Sequence, residues 1–234
     1  MRCIAALSQT LAVAVVLLAT ATTTPATAFE LPDIHNLPGE TFPVSGEGVS
    51  TKAAESVVIE TESGSRATAE QLQLTMKLEA LSALGPIALD FINVIEPKTK
   101  SFCNTEGDAT GVVLVTGEYH VVDTKLSPLT AALLILLPLG GTTTFTCGKL
   151  KLKVTGTLLL NLNVKSAEEV TSFGTWPKCI AKGRQDTTTY FNDAGTELTK
   201  QLLSANFGLG AEFACLETKA EVRIVMSKMI EFLF

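Results

Sequence analysis

From Leu150 to Val164 every even position except Gly156 is Leu or Val, while Lys149, Lys151 and Lys153 hold the first odd positions. Successive side chains of an extended chain point to opposite faces, so this alternation gives one wet face and one buried face. It predicts β-structure. Either one long strand bends at Gly156, or two strands meet there in a tight turn. Just upstream, Leu133, Leu134, Ile135, Leu136 and Leu137 are apolar without interruption, and Pro138 to Gly141 form a turn. A strand apolar on both faces must be covered twice. Its cover is a second sheet with the N-terminal arm, self-association with another copy, or lipid. Internal burial is preferred, because bilayer-spanning strands alternate in polarity and this one does not.

The period of two recurs at Leu72, Leu74, Met76 and Leu78. Gly85-Pro86 then breaks the run, and Ile87, Leu89 and Phe91 begin a further strand that Pro97 closes. Gly111 to Asp123 and Thr187 to Phe191 read as strands, Asn192 to Gly195 as a hairpin turn, and Leu216 to Met226 as an amphipathic strand. The expected fold is all-β: antiparallel strands in a β-sandwich or a partly open β-barrel, stapled by disulfides. One domain spans 52–234, since about 180 residues suffice for a single core. Residues 29–51 hold Pro32, Pro38 and Pro43 with little apolar periodicity, so an extended or disordered arm is expected there.

The chain opens Met1-Arg2, runs apolar from Ile4 to Thr20 and reaches Ala26-Thr27-Ala28. A short basic start, an apolar core and small residues at the −3 and −1 positions describe a secretory signal peptide over 1–28, which implies a secreted or cell-surface product. Beyond it no apolar segment reaches the ~20 residues of a transmembrane helix. The formal net charge of −6 argues against nucleic acid as a partner, which calls for a basic face. Cys103, Cys147, Cys179 and Cys215 make an even set in an exported chain, and so two disulfides of three possible connectivities. Neighbourhood favours Cys103 to Cys147 and Cys179 to Cys215. No C-x2-C pair supports zinc.

Few residues invite a chemical reading. Asn104, Glu106 and Asp108 alternate like oxygen ligands of a calcium loop, yet Ala109 and Val115 stand where such a loop wants Gly and a bidentate Glu; a turn is the simpler reading. Glu118 and His120 share a strand face and Asp123 points to the other, with no serine or cysteine nucleophile beside them. His35 is alone. Trp176, before Pro177 and close to Cys179, fits core packing better than a sugar-stacking platform. No cofactor motif is present, and the chain reads as non-enzymatic.

Four stretches together resemble a large group of uncharacterised exported β-rich proteins of soil actinobacteria. They are Cys103-Asn-Thr-Glu-Gly-Asp-Ala-Thr-Gly with the strand after it, Leu126-Ser-Pro-Leu-Thr with its aliphatic run, Phe145-Thr-Cys-Gly-Lys-Leu-Lys-Leu-Lys-Val-Thr-Gly, and Ala205-Asn-Phe-Gly-Leu-Gly. The resemblance covers roughly residues 77–223. It implies an extracellular β-module in many paralogues and carries over no activity or catalytic residue. The expected role is therefore structural or binding, toward a cell-envelope polymer or another protein. The alternative is a secreted hydrolase with an inconspicuous carboxylate pair, Glu106 and Asp108 being the first suspects.

Overall fold

The computed structural model describes residues 33–36, 44–50, 56–78, 84–126, 129–138, 143–163, 168–180, 184–185, 189–191, 197–198, 203–206, 210–219 and 221–233. The expected signal peptide, 1–28, lies outside them. Every regular element among them is a strand. The first are β1 (Asp33–Asn36), β2 (Val44–Ser50), β3 (Val57–Thr61), β4 (Arg66–Ala69), β5 (Gln71–Leu78), β6 (Leu84–Ile92) and β7 (Ile95–Glu96). Then come β8 (Ser101–Asn104), β9 (Val112–Leu126), β10 (Leu129–Leu137), β11 (Thr144–Cys147), β12 (Leu150–Leu162) and β13 (Glu168–Thr175). The last are β14 (Cys179–Ile180), β15 (Arg184–Gln185), β16 (Tyr190–Phe191), β17 (Glu197–Leu198), β18 (Leu203–Asn206), β19 (Ala211–Thr218) and β20 (Val222–Leu233).

The pairings close a barrel, all antiparallel. β2 pairs with β5, β5 with β6, β6 with β9, β9 with β10, β10 with β12, β12 with β13, β13 with β20, and β20 again with β2. A second ring runs β3, β4, β7, β8, β11, β12, β18, β19 and back to β3. These rings are two tiers of one barrel, because β12 belongs to both: Leu150 to Lys153 pair with β11, and Gly156 to Asn161 with β10. The other staves each carry one strand per tier, such as β4 and β5, or β19 and β20. Taken in chain order the eight staves form an up-and-down meander, and pairing the last with the first removes the open edges of a sheet.

One core fills both tiers. Leu72, Leu74, Leu89, Leu133, Ile135, Leu158 and Leu160 pack in one, and Phe145, Leu152, Leu203 and Leu216 in the other. An eight-stranded barrel has a lumen just wide enough for such side chains, so the interior is a core and not a channel. β12 is a single strand: Leu152, Val154, Leu158, Leu160 and Leu162 stay buried on one parity through Gly156, whose φ of 119° lets the strand pass from tier to tier.

The double apolar run is covered on both sides. Leu133, Ile135 and Leu137 enter the core, while Leu134 packs with an outer cluster of Val122, Ala132, Leu159 and Tyr190, joined by Leu198. The outer cover is the β16–β17 hairpin and not the expected second sheet with the arm. That hairpin belongs to a long excursion, 176–202, between β13 and β18. Sequence pattern gave no hint that Tyr190 and Leu198 would pack on the wall, where Phe191 also pairs with Asp123 of β9.

Three local expectations are corrected. Within 29–51, β1 pairs with β20, and β2 is a full stave between β5 and β20. The prolines all precede β2 instead of interrupting it, and its inward positions after Val44 are Gly46, Gly48 and Ser50, too small to register as apolar. Cys147 reaches the core without a bulge: Gly148 and Lys149 form a two-residue hairpin turn, with φ of 58° at Gly148, and Cys147 pairs with Leu150 across it. β6 runs through Gly85-Pro86, because the β5 ladder already ends at the pair Met76 with Ile87 and no longer needs the amide that Pro86 lacks.

Candidate functional site

The strand β9 presents its titratable residues on opposite sides of the barrel wall. Glu118 and His120 face outward and touch at 3.2 Å, Oε1 to Nε2, both partly exposed. Asp123 shares the parity of Val113, Val115, Tyr119 and Val121, all core residues, and is itself buried. Its Oδ1 has no hydrogen-bond partner among the described residues, and burial pushes its carboxyl up to about 6. The wall therefore separates Asp123 from the Glu118–His120 pair. Tyr119 between them donates its hydroxyl to the Lys77 carbonyl at 3.3 Å, and burial raises its phenol well above the usual range.

The loop after Cys103 is a hydrogen-bonded turn. Thr105 Oγ1 accepts from the Leu114 amide at 2.9 Å and donates to the Leu114 carbonyl at 3.1 Å. Asp108 N–H donates to the Thr105 carbonyl at 3.1 Å and Val112 N–H to Ala109 at 3.0 Å. Asn104 donates its side-chain amide to the Thr105 carbonyl at 3.1 Å. Gly107 and Gly111 take φ values of 91° and 83°, left-handed backbone that favours glycine. Among the described residues no set of three or more His, Cys, Asp or Glu converges for a metal ion. The electrostatic neighbour of Asp108 is Asp90 on β6, whose carboxyl is raised first by burial and then by the Asp108 charge. Sequence spacing pairs Asp108 with Glu106 and gives no sign of Asp90, eighteen positions upstream on another stave.

The disulfides join Cys103 to Cys147 and Cys179 to Cys215. Cys103 and Cys147 stand opposite each other on β8 and β11, inside the core. Cys215 lies on the outward parity of β19, opposite Glu60, and its bond ties the start of the 176–202 excursion to the wall. Trp176, three residues before Cys179, is buried in the core, with no hydrogen-bond partner for its Nε1 among the described residues. His35 lies in β1, in register with Glu231.

Two of the clefts among the described residues lie on the outer wall. One, of about 600 Å³, crosses β13, β20 and β2, with Arg223 between Phe173 and Val49 in one cross-strand row and Val225 beside Glu47 in the next. Val49 and Val225 are 42% and 38% exposed there. The other, of about 350 Å³, is lined by Glu60, Arg66, Glu217, Lys219, Ile180 and Cys179. No helix among the described residues is long and apolar enough to cross a membrane. These features define a disulfide-stapled, two-tier up-and-down barrel with a packed interior and a clefted exterior. Comparison with protein-family models, with curated proteins and with solved structures gave no match.

Proposed function

We propose that this chain is an exported, non-enzymatic module that acts through its outer wall, holding a cell-envelope polymer or another protein. The supporting observation is the packed lumen: side chains from all eight staves occupy the space where many barrels hold a small ligand, leaving the exterior for recognition. The leader-like N-terminus, the two disulfides and the resemblance to exported actinobacterial β-proteins agree with this role. The test is binding of the secreted form to a glycan array and to cell-wall preparations. Arg223→Glu combined with Val49→Lys should reduce any binding found. Binding unchanged in that variant refutes the β13–β20–β2 cleft as the contact, and no binding to any glycan or envelope fraction refutes the envelope polymer as its partner.

One observation favours a secreted hydrolase as the second reading. Asp90, raised by burial and by Asp108, has the character of a general acid beside a second carboxylate. Turnover of any glycan or ester substrate in a broad screen, abolished by Asp90→Asn, would establish it.

A further inference from the structure

We infer that Lys149, Lys151 and Lys153 form, with Phe102 beside them, a docking strip for a linear anionic glycan. The strip rests on the envelope-polymer reading but lies on the other tier of the barrel from the β13–β20–β2 cleft. Lys151 and Lys153 project from the outward face of β12 and Lys149 from the turn before it, and all three are exposed. Residues two apart on a strand share a face at roughly 7 Å spacing, so the ammonium groups stand in single file. Lys100, also exposed, extends the file at the next hairpin tip. There the Gly148 amide donates to the Phe102 carbonyl at 3.3 Å, which sets the β7–β8 and β11–β12 turns side by side.

The cross-strand partners of these lysines are uncharged. Lys151 pairs with Thr146, and Lys153 with Thr144 on one side and Asn206 on the other. Among the described residues none of the four lysines has an ion-pair partner. On the two wall clefts, by contrast, exposed cations stand among acids: Arg223 with Glu47 and Glu221, and Lys219 with Glu60 and Glu217. The strip is therefore a local reversal in a chain of net charge −6. Lysines often shield the open edge of a sheet from a second chain. That explanation fails here, because β12 is paired with β11 on one side and with β18 on the other. Unneutralised like charges in a row attract a ligand whose negative charges also lie in a row. A flat lipid surface against the hairpin tips would meet only the end of the file, whereas an extended polymer laid along β12 meets all of it. Phe102 narrows the polymer to a glycan. It stands across from Gly148 and is 51% exposed, offering the flank of the file an apolar face on which a sugar ring can stack.

Binding of the secreted form to heparin, to polygalacturonate and to neutral dextran tests the strip, with single-stranded DNA and phosphatidylglycerol vesicles as competing partners. Both anionic glycans should bind and dextran should not, and affinity should fall roughly tenfold or more between about 50 and 200 mM salt. Lys151→Gln with Lys153→Gln should weaken binding roughly tenfold, whereas the charge-matched pair Lys77→Gln with Lys178→Gln should not. Phe102→Ala should weaken glycan binding several-fold and leave binding of inorganic polyphosphate unchanged. Every one of these positions is exposed, and circular dichroism checks that each variant folds. Equal loss in the two lysine pairs, dextran bound as well as the anionic glycans, or DNA or vesicles bound more tightly than any glycan overturns the strip. Phe102→Ala without effect overturns the glycan as the polymer. Cell-wall binding that survives the lysine pair and falls in Arg223→Glu with Val49→Lys overturns the strip alone; the opposite pattern upholds the strip and removes the cleft as the contact. No binding to any glycan or wall fraction overturns both.

Discussion

Gly46 stands directly opposite Met226 on the β2–β20 ladder, where a Cβ at position 46 would lie 2.6 Å from Met226 Sδ and 2.8 Å from Met76 Cγ. Two positions on, a Cβ at Gly48 would lie 3.1 Å from both Leu74 Cβ and Val222 Cγ1. The inward face of β2 is therefore small because its neighbours fill the lumen in front of it. Gly48→Val should cost about 1 to 3 kcal/mol by overpacking, read as a lower urea midpoint. An unchanged midpoint would show that the lumen has slack at this stave.

The same packing explains what was legible in the sequence. β5 and β12 carry their own leucines on the lumen side, so the period of two announces them. β2 borrows its core from Met76, Leu74 and Met226, and a glycine-bearing stave following three prolines reads as an arm. Barrel closure depends on that stave, which is why periodicity alone left sandwich and open barrel undecided. The Asp90–Asp108 relationship and the two wall clefts depend on register between staves, which no single segment encodes.

Asp123 makes stability depend on pH. Its carboxyl is raised from the ordinary 3.8 to about 6 by burial, so the folded state holds the proton more tightly than the unfolded chain does. The stability this contributes is complete below about pH 4 and is lost as pH rises through about 6, a difference of roughly 3 kcal/mol. Asp123→Asn should be more stable than the parent at pH 7, with the gap closing toward pH 4. Denaturant midpoints of both proteins across that range check the sign, and a gap independent of pH would falsify the assignment.

Glu96 works in the opposite direction. Its carboxylate accepts from the Lys98 amide at 3.0 Å and the Thr99 amide at 2.6 Å, closing the turn between β7 and β8. Hydrogen bonding to Thr99 is the largest cause holding its pKa below the ordinary 4.5. The stability it contributes is present above that ordinary value and is lost as pH falls through the depressed one. Glu96→Gln should cost about 1 kcal/mol at pH 7, and less in acid. Equal loss at pH 7 and pH 3 would mean that the charge is irrelevant to the turn.

The core disulfide should matter most for stability. Cys103–Cys147 joins directly opposed residues of two staves inside the barrel. Replacing both cysteines with Ala should cost about 2 to 5 kcal/mol, measured as the shift in thermal midpoint under non-reducing conditions. A shift smaller than that of the Cys179→Ala, Cys215→Ala pair would reverse the ranking of the two bonds.

The run from Leu133 to Leu137 offers the sharpest contrast within five residues. Leu133 is 1% exposed and points into the lumen among core leucines; Leu136, three positions on, lies on the outer side and is only partly buried. A lysine at 133 has no route to water and no partner in the core, so Leu133→Lys should cost several kcal/mol and leave the barrel unfolded at ambient temperature. Leu136→Lys can extend its ammonium along the wall while its methylenes keep part of the contact, for a cost of about 1 kcal/mol or less. Circular dichroism and sedimentation velocity on the two single variants separate the possibilities. A folded Leu136→Lys protein with the oligomeric state of the parent fits burial by the chain's own hairpin. A folded Leu136→Lys monomer derived from an oligomeric parent would make the outer face of β10 a subunit contact.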